Sequence, residues 1–136
     1  MEVHQESPAP GPADHVRQVL PDLLLPGDPP IYVTATGRVM WGQAAVIVSA
    51  ARPGTEPDLS FGFEFPAEAD RAEVLAAVAA RLQDALADLL GTRRPDCRAA
   101  GHDHVLSPTV RQDTAVWSCP KGGYQVEVTR YPDGSP

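Results

Sequence analysis

Residues 67–90, A-E-A-D-R-A-E-V-L-A-A-V-A-A-R-L-Q-D-A-L-A-D-L-L, decide most of what this chain can become. Leu75, Val78, Leu82, Leu86 and Leu89 recur at spacings of three and four, which draws one apolar stripe along a helix. Alanine and leucine dominate the stretch, and both favour helix. Pro66 suits a first turn, while Glu68, Asp70 and Glu73 put negative charge near the positive end of the helix dipole. Gly91 supplies a C-terminal stop. The positions read as outward, Arg81, Gln83, Asp84 and Asp88, form no catalytic arrangement.

The runs before this helix read as strands. I-Y-V-T-A-T is rich in β-branched and aromatic residues, and V-M-W-G-Q-A-A-V-I-V-S-A ends in Val46, Ile47 and Val48, the most apolar piece of the chain. A hairpin turn falls at Gly37-Arg38 or at Gly42-Gln43. In L-S-F-G-F-E-F, Phe61, Phe63 and Phe65 alternate with Ser60, Gly62 and Glu64, so all three rings share one sheet face. Three aligned rings can serve as a stacking platform for bases. The reading preferred here is that they line the core against the helix that follows. Trp41 is read as packed or edge-covering.

Further upstream, A-D-H-V-R-Q-V-L-P-D-L-L-L carries Val16, Val19, Leu20 and Leu23 at helical spacing, with Asp14 as an N-cap. Pro21 predicts two short turns instead of one helix. His15 falls in the first turn and is expected to be exposed. Residues 1–12 hold three prolines and little apolar surface, so they are expected to form a flexible leader with a solvated His4. Residues 13–136 are then expected to form a single domain. The predicted class is α+β: a short N-terminal helix, a three-stranded antiparallel sheet, one long amphipathic helix, and a C-terminal β-hairpin with a Cys/His loop.

The formal net charge of −7 is uneven. Residues 1–91 hold five arginines against thirteen acids, and residues 92–136 hold six basic residues against five acids. An acidic body repels phosphate backbones, which argues against nucleic acid as a partner. No stretch approaches the roughly 20 apolar residues of a membrane span, and the acidic start is unlike a signal peptide. A cytoplasmic location is the expectation, and a reducing cytosol makes a structural disulfide between the two cysteines a poor reading.

Chemistry concentrates between Cys97 and Cys119. Residues 92–136 form a subregion in which T-A-V-W-S-C and Y-Q-V-E-V-T-R make a hairpin joined by Pro120-Lys121-Gly122-Gly123, with Tyr124, Val126 and Val128 on one face. Cys97, His102, His104 and Cys119 are two thiolates and two imidazoles, a donor set suited to tetrahedral zinc. The competing reading leaves Cys97 on an exposed loop, the histidines solvated, and Cys119 as a small buried hydrophobe beside Trp117. No Asp or Asn stands out to orient a histidine, which counts against a catalytic cysteine. From Thr92 to Thr114 the main apolar candidates are Val105, Leu106 and Val110, too few to order the segment by burial alone. The whole of 92–136 is therefore expected to depend on metal for its order.

Cys119-Pro120-Lys121-Gly122-Gly123 resembles half of the C-P-x-C-G knuckle of zinc ribbons, with Gly122 where the second cysteine would stand. Cys97, His104-Val105-Leu106 and Ala115-Val116-Trp117-Ser118-Cys119-Pro120 also resemble the Cys/His…AVWxCP tail of small proteins from high-GC bacteria, over about the last third of the chain. Val105 replaces a proline of that pattern, and the resemblance implies no activity. The order helix, three strands, helix, two strands is similar to the type III secretion chaperone-like (YbjN-like) fold, whose members are small acidic protein-binding modules. The functional expectation is a non-catalytic module binding a protein partner, as chaperone, adaptor or immunity protein. The alternatives are a zinc-dependent enzyme, against which H-E-x-x-H and H-x-E…P-C-x-x-C patterns are missing, and a ribbon-like nucleic-acid module.

Overall fold

The computed structural model describes residues 2–5, 12–28, 32–51 and 59–131, with backbone alone for Glu2–Gln5, Pro12 and Leu59. The elements are β1 (Glu2–Gln5), α1 (Pro12–Leu23), β2 (Tyr32–Met40), β3 (Gln43–Ala51), β4 (Leu59–Pro66), α2 (Arg71–Leu90), β5 (Ser107–Arg111), β6 (Thr114–Ser118) and β7 (Gln125–Glu127). The α+β class follows the sequence pattern, while β1 and β5 are additions to the expected order of helix, three strands, helix and two strands. The backbone contacts cluster into two compact units, Met1–Gln18 with Pro26–Ala69 and Val19–Leu25 with Asp70–Pro136. The sequence alone suggested one domain over residues 13–136.

In the first unit β2, β3 and β4 form an antiparallel meander. Met40 pairs with Gln43, which leaves Trp41-Gly42 as a two-residue turn. Both residues have positive φ, 52° and 76°, the backbone that matches the twist of a two-residue hairpin. The Gly37-Arg38 alternative lies inside β2. Val33, Ala35, Val46 and Val48 point to one face and are buried. Phe61 and Phe63 sit opposite Val48 and Val46 on that same face, half-buried, with ring centroids 6.3 Å apart.

Four expectations fail here. Glu2–Gln5 is not a free leader but pairs in parallel with β2, from Glu2 opposite Thr34 to Gln5 opposite Gly37. Such pairing uses backbone groups and needs no apolar side chains, so composition does not reveal it. The side chain of His4 and residues 6–11 lie outside the described residues. Likewise α1 is one helix of 12 residues that runs through Pro21, in place of two short turns. The proline ring is exposed, and the buried stripe Ala13, Val16, Val19, Leu20 and Leu23 spans it. Asp14 is in the first turn of α1 instead of capping it and pairs with Arg17 at 2.6 Å. His15 is half-buried.

The second unit is built on α2. It starts at Arg71, with Asp70 as N-cap, because Pro66 ends β4 instead of opening the helix. Gly91 closes it in the left-handed region at φ 75°, its N–H bonded to the Ala87 carbonyl. The expected stripe Leu75, Val78, Leu82, Leu86 and Leu89 is buried, and α2 packs on β5 and β6. The C-terminal hairpin is β6 with β7, and β5 extends it to a three-stranded antiparallel sheet. The added turn is Gln112-Asp113, again with both φ positive. Ala115 to Cys119 are buried without a break, as a central strand covered on both faces requires.

Candidate metal centre

Cys97 and the two histidines come from a small hairpin between α2 and β5. Asp96 bridges Val105, Leu106 N–H donates to the Pro95 carbonyl, and Cys97 N–H donates to the His104 carbonyl at 2.9 Å. Cys97 and His104 are thereby set directly across from one another. At the tip His102 N–H donates to the Ala99 carbonyl, a turn whose third residue, Gly101, has φ 80°. That turn brings the His102 ring back over the hairpin.

Cys119 comes from the other side, at the mouth of the β6–β7 hairpin. Its N–H donates to the Tyr124 carbonyl, and its own carbonyl accepts from Gly122 N–H, closing a turn over Pro120 and Lys121. Gly123 follows. A Cβ built on it would lie 2.5 Å from His102 Cε1 and 3.1 Å from His102 Nδ1. The imidazole therefore occupies space that any side chain at this position would fill.

The ligand atoms of Cys97, His102, His104 and Cys119 lie within 4.8 Å of one another, close enough to hold a metal ion. His102 Nδ1 stands between the sulfurs, 3.6 Å from Cys97 Sγ and 3.5 Å from Cys119 Sγ. His104 Nε2 is 2.9 Å from Cys119 Sγ, and the two imidazole centroids are 4.9 Å apart. Both cysteines are buried and free, and both histidines are half-buried. Cys97 is thus not on an exposed loop.

The two thiols differ in their surroundings. Burial pushes the Cys97 thiol above its ordinary value, opposed by the Ala99 N–H and reinforced by Cys119. Burial also acts to raise Cys119, but there it is outweighed. Hydrogen bonds from Gly123 N–H, His104, Lys121 N–H and His102 together lower it to about 5. Backbone N–H groups aimed at the sulfur favour a thiolate at that position, the form that binds metal.

Two further residues fix this architecture, and neither was singled out from the sequence. Gln83, expected to face outward, is 6% exposed. Its Nε2 donates to the carbonyls of Arg94 and Leu106 at 2.8 and 2.7 Å, clamping the two ends of the ligand hairpin onto α2. A signal existed: position 83 adjoins Leu82 and lies four residues after the buried Ala79. Asp22, 2% exposed, accepts hydrogen bonds from Trp117 Nε1 at 2.8 Å and Thr129 N–H at 2.6 Å. Thr129 has φ 86°, a backbone that a β-branched residue adopts only under constraint. Nothing local in the sequence announces this pairing across 95 positions.

No protein-family model, curated protein or solved structure matches the chain. Among the described residues no helix is long and apolar enough to cross a membrane.

Proposed function

We propose that Cys97, His102, His104 and Cys119 bind one zinc ion as a structural centre, within a small acidic cytoplasmic module that binds a protein partner and has no catalytic activity. The observation that carries the metal reading is the convergence of two sulfurs and two imidazole nitrogens within 4.8 Å. Zinc bond lengths set tetrahedral S···N edges of about 3.6 Å. Two of the S···N separations are 3.6 and 3.5 Å. The third, at 2.9 Å, has to open by under 1 Å, which a small rotation of His104 supplies. Two thiolates favour zinc over magnesium or calcium.

Four protein ligands complete a tetrahedron and leave no position for water or substrate, which supports a structural role over a catalytic one. A surface concavity of about 310 Å³, lined by Arg71, Leu75, Asp113, Glu127 and Arg130 among others, does not include any of the four ligands. The partner reading is supported by the tip of the β2–β3 hairpin. Val39, Met40 and Trp41 are exposed there, and Trp41 is 93% exposed on a left-handed backbone. Aromatic anchors of this kind are enriched at protein interfaces.

The test is metal analysis of the full chain purified without a histidine tag. The expected result is about one zinc per chain, lost in Cys97→Ser and in Cys119→Ser. Folded protein free of metal after growth with zinc would remove the centre. For the partner, proteins captured from the native cell by the wild-type chain should be lost with Trp41→Ser, whose zinc content stays unchanged. Equal capture by the variant would move the interface away from the hairpin tip.

A further inference from the structure

We infer that Cys97 and Cys119 form a thiol-oxidation pair, which a hydroperoxide converts into an intramolecular disulfide with ejection of the bound metal. The ejection rests on the metal reading above; the pairing of the sulfurs rests on geometry alone.

The sulfurs lie within 4.8 Å of each other, and a disulfide requires about 2.05 Å. The remaining approach is under about 3 Å, within the reach of side-chain rotation combined with a small shift of either hairpin. No third cysteine competes, because the chain has only two. Both are buried, at 7% and 3% exposure, so a cysteine of another molecule cannot dock against them. Hydrogen peroxide is little larger than water, and the two imidazoles beside the sulfurs are only half-buried.

The frame that keeps the sulfurs together does not require the ion. Gln83 clamps the Cys97 hairpin at Arg94 and Leu106. Cys119 is held by its own bond to Tyr124 and by the pairing of Ser118 with Gln125. Trp117, two residues before it, is fully buried and bonded to Asp22. When the metal leaves, the two sulfurs remain neighbours.

The chemistry balances with the hydroperoxide as the two-electron oxidant. One of the two thiolates attacks a peroxide oxygen, the O–O bond breaks, and a sulfenic acid forms with release of hydroxide or alkoxide. The second thiolate attacks the sulfenic sulfur, the S–S bond forms, and hydroxide leaves. Each sulfur has given up one electron, and the two released anions take protons from the buffer. A metal held by Cys97, His102, His104 and Cys119 would thereby lose both anionic ligands and be left with two neutral imidazoles, too few to retain it. A thiol reductant reverses the sequence and restores the site.

The experiment treats the zinc-loaded full chain with hydrogen peroxide in small excess, then follows intact mass, non-reducing electrophoresis and free zinc by a metallochromic dye. The expected result is a mass loss of about 2 Da, two hydrogen atoms, in a chain that remains monomeric on the gel. About one zinc should be released per chain, in step with the mass change, and dithiothreitol with added zinc should reverse both. Cys97→Ser and Cys119→Ser should show no such mass loss. Oxygen adducts without mass loss, disulfide-linked dimers, or zinc retained at full oxidation would each overturn the pair while leaving the zinc centre in place. A chain that carries no zinc yet loses 2 Da would keep the thiol pair and overturn the metal reading instead.

Discussion

Gly123 and His102 are matched by shape: the imidazole of His102 lies where a side chain on residue 123 would stand, 2.5 Å from an ideal Cβ at its nearest atom. The residue after the Cys119 turn thus decides whether a donor from the other hairpin can reach the sulfurs. Gly123→Ala is expected to displace His102 and weaken zinc or cobalt binding by at least about 10-fold, in the range set by lost support of a ligand. Chelator competition measures this. The cobalt form should also lose the intense visible bands of a tetrahedral N2S2 site. Unchanged affinity and spectrum would show that His102 is not a ligand.

Gln83→Leu removes the donor that two buried carbonyls, those of Arg94 and Leu106, share. Leaving them unpaired should lower stability by ~2–4 kcal/mol, read by urea unfolding of the metal-free chain. Gln83→Ala should cost at least as much, because it adds a cavity. A loss below about 0.5 kcal/mol in the leucine variant, the scale of ordinary surface substitutions, would mean that water replaces the amide.

Asp22 carries a pH signature. Burial raises its pKa above 3.8, against the opposing hydrogen bonds of Trp117, Thr129 and Tyr131. For a carboxyl raised in the folded state, its stabilising contribution is fully present below 3.8 and lost as pH climbs through the folded value. Asp22→Asn cannot ionise, so its stability relative to wild type should rise over that window and then level off. Parallel stability curves for the two proteins, followed by Trp117 fluorescence, would contradict a raised value.

Cys119 predicts the opposite slope in the metal-free chain. With its thiol lowered to about 5, its stabilising contribution is present above the unfolded value near 9 and lost as pH falls toward 5. Metal-free wild type should therefore gain stability between pH 5 and 9 relative to Cys119→Ser. Thiolate absorbance near 240 nm should show one group titrating near 5 and the other above 9. Two thiols titrating together would remove the asymmetry.

Chelation should loosen less of the chain than the composition of residues 92–136 suggests. Leu106, Val116, Trp117, Val126 and Val128 are buried, and α2 packs on β5 and β6. Hydrogen exchange should accelerate on metal removal at residues 97–105 and 119–124. Protection of α2 and of the β6 amides should persist. Loss of protection throughout 92–131 would mean that burial does not hold this sheet.

What the sequence determined by itself was everything carried by short-range pattern. The 3.6-residue stripe from Leu75 to Leu89, the glycine stop at Gly91 and the alternation of Phe61, Phe63 and Phe65 each report a local conformation, because side-chain direction repeats with backbone geometry. The four candidate ligands were legible for a similar reason, since Cys and His are chemically distinct wherever they occur. Tertiary structure alone decided which groups meet. β5 was hidden because its turn, Gln112-Asp113, adopts positive φ without a glycine to mark it. β1 was hidden because it pairs through its backbone. The inward face of Gln83, the bond from Trp117 to Asp22 and the fit of His102 over Gly123 join residues 11 to 95 positions apart or across two separate hairpins. Such contacts depend on how hairpins and helix are held together in space, and no local pattern in the chain encodes that.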